Sequence, residues 1–226
     1  MVPPDPRGAR DVTPTILLHG TWGLDDTWWR PGSAFAREAE RHGAHLPAGW
    51  PPFKWSGALG GLPTVGAPAD PSGRFPEPQL APWEVAGYHL ALYARLVGGG
   101  GPVNLLTHSH GLQVGAFAAV YAADLGVRIE VFLSISGPIR RDMQRVRRAA
   151  MDNIGRWIQV ADHENDKTIR QGEFLDGAVG WVYELPEPGT VNVRASYGHS
   201  GLFEERNFPA WEALSLWTYF ATPEVI

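Results

Sequence analysis

Two nearly continuous apolar runs, Val103–Leu106 and Ile129–Ile135, flank an Ala-rich stretch, Leu112–Asp124, that suits a helix. A strand apolar at consecutive positions has both faces covered, as in a parallel sheet with helices on either side. The same alternation runs along the chain. Thr15–Leu18, Phe53–Trp55, Trp157–Ala161 and Val191–Val193 are further β-prone runs, while Ser33–His42, Pro82–Leu96, Asp142–Ala150 and Pro209–Phe220 read as helices. Pro82 stands at a first-turn position, where its missing N–H costs nothing. Strand alternating with helix implies right-handed βαβ units. The expected fold is α/β, a three-layer sandwich around a mainly parallel, roughly six-stranded sheet.

Size and charge narrow the function classes. A chain of 226 residues suits one α/β domain over residues 1–226, able to bury a sizeable core. Two stretches read as loop insertions: 57–81, dense in Gly and Pro, and 170–189. A net charge of -5 argues against nucleic acid as a partner. With no cysteine there is neither a disulfide framework nor a thiolate nucleophile or metal ligand. Met1–Thr13 lacks the apolar run of a signal peptide, and no apolar stretch is long enough to span a bilayer, so a cytoplasmic chain without an integral membrane segment is expected. Oligomeric state is left open.

The segment Val103–Leu112 carries the chemistry. An apolar strand passes through Thr107-His108-Ser109-His110-Gly111 into a helix. A serine on such a turn needs small flanking residues, because strand and helix backbones approach closely there. Gly111 meets that need, and Thr107 is a departure at the other small position. The turn resembles the G-x-S-x-G nucleophile elbow of the α/β-hydrolases. His108-x-His110 also resembles the start of the metallo-β-lactamase motif H-x-H-x-D-H. The next two matched positions hold Leu112 and Gln113, which cannot ligate the second metal, so no metal site is expected. His163 between Asp162 and Glu164 lacks spaced partners on a rigid element and is assigned no metal either.

The resemblance implies roles for other residues. Ile16–Gly23 is a strand ending in His19-Gly20, similar to the oxyanion loop of bacterial lipases and esterases; the N–H groups of Thr21 and His110 would be the oxyanion donors. His19 would shape that loop. Trp22, Trp28 and Trp29, three of ten tryptophans, either line a substrate pocket or pack the following helix. His199, on the loop after Val191–Val193, takes the place of the general base. The acid is Asp166, Asp162 or Asp142, with Asp166 preferred, since a position a few residues past a strand end reaches an imidazole more easily than one at its tip. The order Ser109, Asp166, His199 is that of the α/β-hydrolases, and the whole combination resembles a compact bacterial or phage lipase-like serine esterase with a trimmed α/β-hydrolase fold.

Carboxylic ester hydrolysis through an acyl-enzyme is then the expected reaction, on a small-molecule or lipid-like ester and with no cofactor. A thioesterase or acyltransferase with the same triad, and a non-catalytic binding protein of the same fold, are the alternatives. The insertion at 57–81 has no continuous apolar face, so soluble or short-chain esters without interfacial activation are expected. Arg140, Arg141, Arg145, Arg147 and Arg148 form a basic cluster in which helical spacing groups Arg141, Arg145 and Arg148 on one face, read as a solvated helix face or as a dock for anionic surfaces.

Overall fold

Alternate side chains along the strands point to opposite faces, and that alternation builds two cores. The computed structural model describes residues 13–57, 81–169 and 181–220. In chain order its elements are β1 (Thr15–Leu18), α1 (Ala34–Arg41), α2 (Ala81–Val97), β2 (Val103–His108), α3 (Gly111–Asp124), β3 (Ile129–Ile135), β4 (Ile139–Arg140), α4 (Gln144–Met151), β5 (Ile154–Ala161), β6 (Trp181–Val182), β7 (Val191–Arg194) and α5 (Phe208–Ala213). Short 3-10 turns surround α5.

Five strands make one sheet in the order β1-β2-β3-β5-β7, and every pairing in it is parallel. Ile16, Leu18, Val103, Leu105, Phe132 and Trp157 face α2, α3 and α4 on one side. Leu17, Leu106, Leu133, Ile158 and Val160 face α1, α5 and the C-terminal turns on the other. This is the three-layer α/β sandwich expected from the alternating runs. Asn104 sits within buried β2 where the register to β3 shifts; its Oδ1 accepts the Val131 N–H at 3.1 Å, so the irregularity leaves that donor paired.

The expected sixth strand, Phe53–Trp55, is not a strand. The outer edge of β1 is taken instead by His45, whose carbonyl accepts the Thr15 N–H at 2.7 Å. Trp55 turns inward, and its indole N–H donates to the His19 carbonyl at 2.9 Å. Tertiary packing has overridden a strand-like composition here. A two-stranded antiparallel ribbon, β4 with β6, stands apart from the main sheet. The expected helix over 209–220 also divides, because Ser215 adopts φ 55 and stops α5. Ser33 caps α1 as its type predicts, with its Oγ accepting the Ala36 N–H at 3.0 Å.

Most of both insertions, 58–80 and 170–180, lies outside the described residues, and with it the expectation about interfacial activation. No helix among the described residues is long and apolar enough to cross a membrane.

Candidate active site

β2 ends at His108 and α3 begins at Gly111, so Ser109 sits on the turn between them. Its φ of 53 lies in the left-handed region that residues with a Cβ avoid, at a cost of about 1–2 kcal/mol. The turn is held from both sides. A Cβ at position 20 would meet the Ser109 Cβ at 2.6 Å and the His108 carbonyl at 3.0 Å. One at position 111 would meet the His19 carbonyl at 2.9 Å and the Leu18 carbonyl at 3.1 Å. Gly20 and Gly111 thus let the loop after β1 close onto the serine turn. Thr107 fits in spite of its Cβ because it faces Gly111, where even a methyl would sit 3.4 Å from it.

The three carboxylates separate cleanly. Asp166 is fully buried, and its Oδ2 lies 2.8 Å from Nδ1 of His199. Its other oxygen accepts the Ile169 N–H at 2.9 Å, which fixes the carboxylate plane. Asp162 instead staples two loops. Its Oδ1 accepts the N–H groups of Glu164 and Asn165 at 3.0 and 2.8 Å, and its Oδ2 accepts the Gly198 N–H at 2.7 Å. Burial works to raise the Asp162 pKa, but the Gly198, Asn165 and Glu164 donors outweigh it and hold the carboxyl below its ordinary value. Asp142 pairs with Arg140 through two hydrogen bonds, at 3.0 and 2.7 Å.

His108 reaches the loop of His199 directly. Its Nε2–H donates to the His199 carbonyl at 3.0 Å, and the two rings lie 4.8 Å apart. Burial pushes the His108 imidazole down to about 3, with His199 nearby adding to the effect. The residue before the serine thereby ties the His199 loop to the serine strand. Sequence offers no sign of this bond, since its partners stand 91 positions apart.

The two expected oxyanion donors are also joined through their side chains. Thr21 Oγ1 and His110 Nδ1 form a hydrogen bond at 2.9 Å. Trp83 stacks on the His110 ring at 5.2 Å, and the Arg140 guanidinium lies 4.8 Å from the Trp83 centroid. Burial, followed by Arg140 and His199, brings the His110 imidazole down to about 3. His19 donates from Nδ1 to the Gly20 carbonyl at 2.8 Å and lies against the rings of Trp29 and Trp55, as a loop-shaping residue should.

The tryptophans divide. Trp28 and Trp29, expected either to line a substrate pocket or to pack the following helix, are both buried core residues. Trp28 stacks on Phe203 at 3.9 Å, and the Trp29 indole N–H donates to the Gly23 carbonyl at 3.0 Å. Trp22 is different: it follows Thr21, is 78% exposed and holds φ 55. Its N–H donates to the Gly57 carbonyl at 3.1 Å, and a Cβ at position 57 would press on that nitrogen at 2.9 Å.

The arginine cluster divides too. Arg141, Arg145 and Arg148 are exposed, but Arg140 and Arg147 are buried and paired with Asp142 and Glu187. The three that helical spacing groups on one face are thus the ones left exposed. His163 stacks on Tyr183.

No family model and no curated protein sequence matches the chain. Among solved structures it is similar to a lipase of Bacillus licheniformis in its mature form, at 14% identity and a TM-score of 0.50, over 94% of each chain. At that identity the likeness speaks to the fold alone. It supports an α/β-hydrolase-like fold, in accord with the sheet order and the serine turn.

Proposed function

We propose that this chain is a serine hydrolase that cleaves carboxylic esters through an acyl-enzyme. One observation carries the proposal: Ser109, at φ 53 on a strand-to-helix turn, directly follows His108, whose ring lies 4.8 Å from that of His199, and Nδ1 of His199 is held at 2.8 Å by a buried aspartate. Local strain at a serine and a carboxylate with a single imidazole to orient are costs that a binding surface does not need.

In this mechanism Ser109 Oγ attacks the acyl carbonyl while Nε2 of His199 takes its proton. The developing oxyanion receives the N–H groups of Thr21 and His110. Asp166 accepts from Nδ1–H, orients the ring and stabilises its charged form. His199 returns the proton to the leaving alcohol, and water, activated by the same ring, releases the acid. Trp22 would offer an apolar platform beside Thr21 to the organic part of a small-molecule or lipid-like ester.

A fluorophosphonate probe tests this. Labelling at Ser109, together with hydrolysis of a p-nitrophenyl ester panel that Ser109→Ala lowers about 10³-fold or more, is the expected result. A folded Ser109→Ala variant that keeps its activity overturns the assignment. Thioesters in the same panel separate thioester from oxygen-ester cleavage.

A further inference from the structure

An oxyanion hole works only when its donors converge on one point, within a few tenths of an ångström. Here the two donors belong to segments 89 positions apart in sequence, the loop after β1 and the serine turn. The close approaches at Gly20 and Gly111 bring the segments together, but a glycine contact limits approach without limiting retreat. Something else must stop the loop from swinging away.

We infer that the His110 side chain is a positioning residue that clamps the oxyanion hole by bonding Thr21 Oγ1; the inference rests on the serine-hydrolase reading above. Each donor residue grips the other: the backbone N–H of each is assigned to the oxyanion, while their side chains close the 2.9 Å bond. The clamp is backed. The His110 ring lies nearly parallel to Trp83, at 21°, and both residues are buried. Trp83 in turn has Arg140 beside it, a side chain with no exposed surface, held by both oxygens of Asp142. The imidazole thus has little freedom to rotate away from Thr21. Proximity of Arg140 also disfavours the imidazolium, so the bond is made by a neutral ring throughout the working pH range.

Two substitutions break the bond from opposite sides. Thr21→Val removes the hydroxyl and keeps the shape. His110→Phe removes the nitrogen and keeps a ring to stack on Trp83. Each is expected to lower kcat for p-nitrophenyl butyrate about tenfold, with KM held within about twofold, because the interaction matters chiefly in the transition state. Affinity for benzeneboronic acid, whose serine adduct is tetrahedral, should fall by a similar factor. The double variant should be no worse than the worse single, since one bond cannot be lost twice. Thr21→Ser and His110→Asn, which keep polar partners, should recover part of the loss. Thermal melts establish folding, and Thr21, half-buried on a loop, keeps the test open if His110→Phe does not fold.

The clamp is overturned if the two losses multiply, if only KM changes, or if both variants match the parent while Ser109 remains labelled and essential. If Ser109 is neither labelled nor essential, the serine-hydrolase reading has failed and the clamp falls with it.

Discussion

Nδ1 of His199 lies 2.8 Å from Oδ2 of Asp166, which has no exposed surface, while Asp162, four residues earlier, spends both its oxygens on backbone N–H groups. Two buried carboxylates on one loop thus have different partners. Asp166 faces a side chain that must change charge during the proposed reaction. Asp162 fixes the loop that presents it.

Asp166→Asn should leave the fold intact and lower ester hydrolysis about 10²-fold, less than Ser109→Ala, since the nucleophile remains. Asp162→Asn should lower stability by about 1–3 kcal/mol, because an amide N–H₂ would face backbone donors, and should affect activity less. Urea melts and kcat/KM on the same preparations check both. A reversed order of activity loss would make Asp162 the acid.

Acid should destabilise the protein in two stages. His108 and His110 are pushed to about 3 in the fold, whereas the unfolded chain takes up these protons near the ordinary value of 6.5. Their contribution is therefore complete above that value and declines as pH falls toward about 3. Asp162 is held below its ordinary 3.8, so its contribution persists to lower pH and is lost as pH falls through the folded value. Urea midpoints measured from neutral pH downward should begin to fall near pH 6.5, and His108→Gln should flatten that early decline. A parent midpoint that stays level until below about pH 4 would contradict this account of the histidines.

Gly20→Ala tests the closeness of the proposed oxyanion loop to the serine turn. The added methyl would meet the Ser109 Cβ at 2.6 Å and backbone at 3.0 Å, so the loop must move. Activity should fall about 10²-fold or more, since a displacement of about 1 Å disables a preorganised site. Normal kcat with an alanine there would mean that the loop does not meet the transition state.

Trp22→Ala should raise KM for esters with bulky apolar groups more than for acetates. Its side chain is 78% exposed, so the melting temperature should change little. Equal effects across the ester series would remove Trp22 from substrate recognition.

How much of this was legible beforehand follows from the range of each interaction. The alternation of apolar runs with helical stretches is local, and it sufficed for the α/β class; the serine turn at 107–111 and the preference for Asp166 with His199 came from the resemblance to the nucleophile elbow and from chain order, and Asp166 does lie 2.8 Å from His199. Those residues stand at strand ends, and the C-terminal ends of parallel strands share one side of the sheet. Composition misled where tertiary contacts competed. Phe53–Trp55 has a strand's residues, but His45 holds the outer edge of β1 and Trp55 bonds to His19. Trp28 and Trp29 neighbour Trp22 in sequence but fill the core, because the chain turns between them. Helical spacing set Arg141, Arg145 and Arg148 on one face, and these are exposed; that Arg140 and Arg147 are buried and paired with carboxylates depends on tertiary contacts that spacing does not carry. The bonds from His108 to the His199 carbonyl and from His110 to Thr21 link positions about ninety residues apart. Sequence alone determined the alternation of buried strands with helices and the turn that carries Ser109; only the packing of the strands side by side decided that Phe53–Trp55 stays out of the sheet and which strand-end residues touch, because that depends on sheet order and on the fit of side chains between layers.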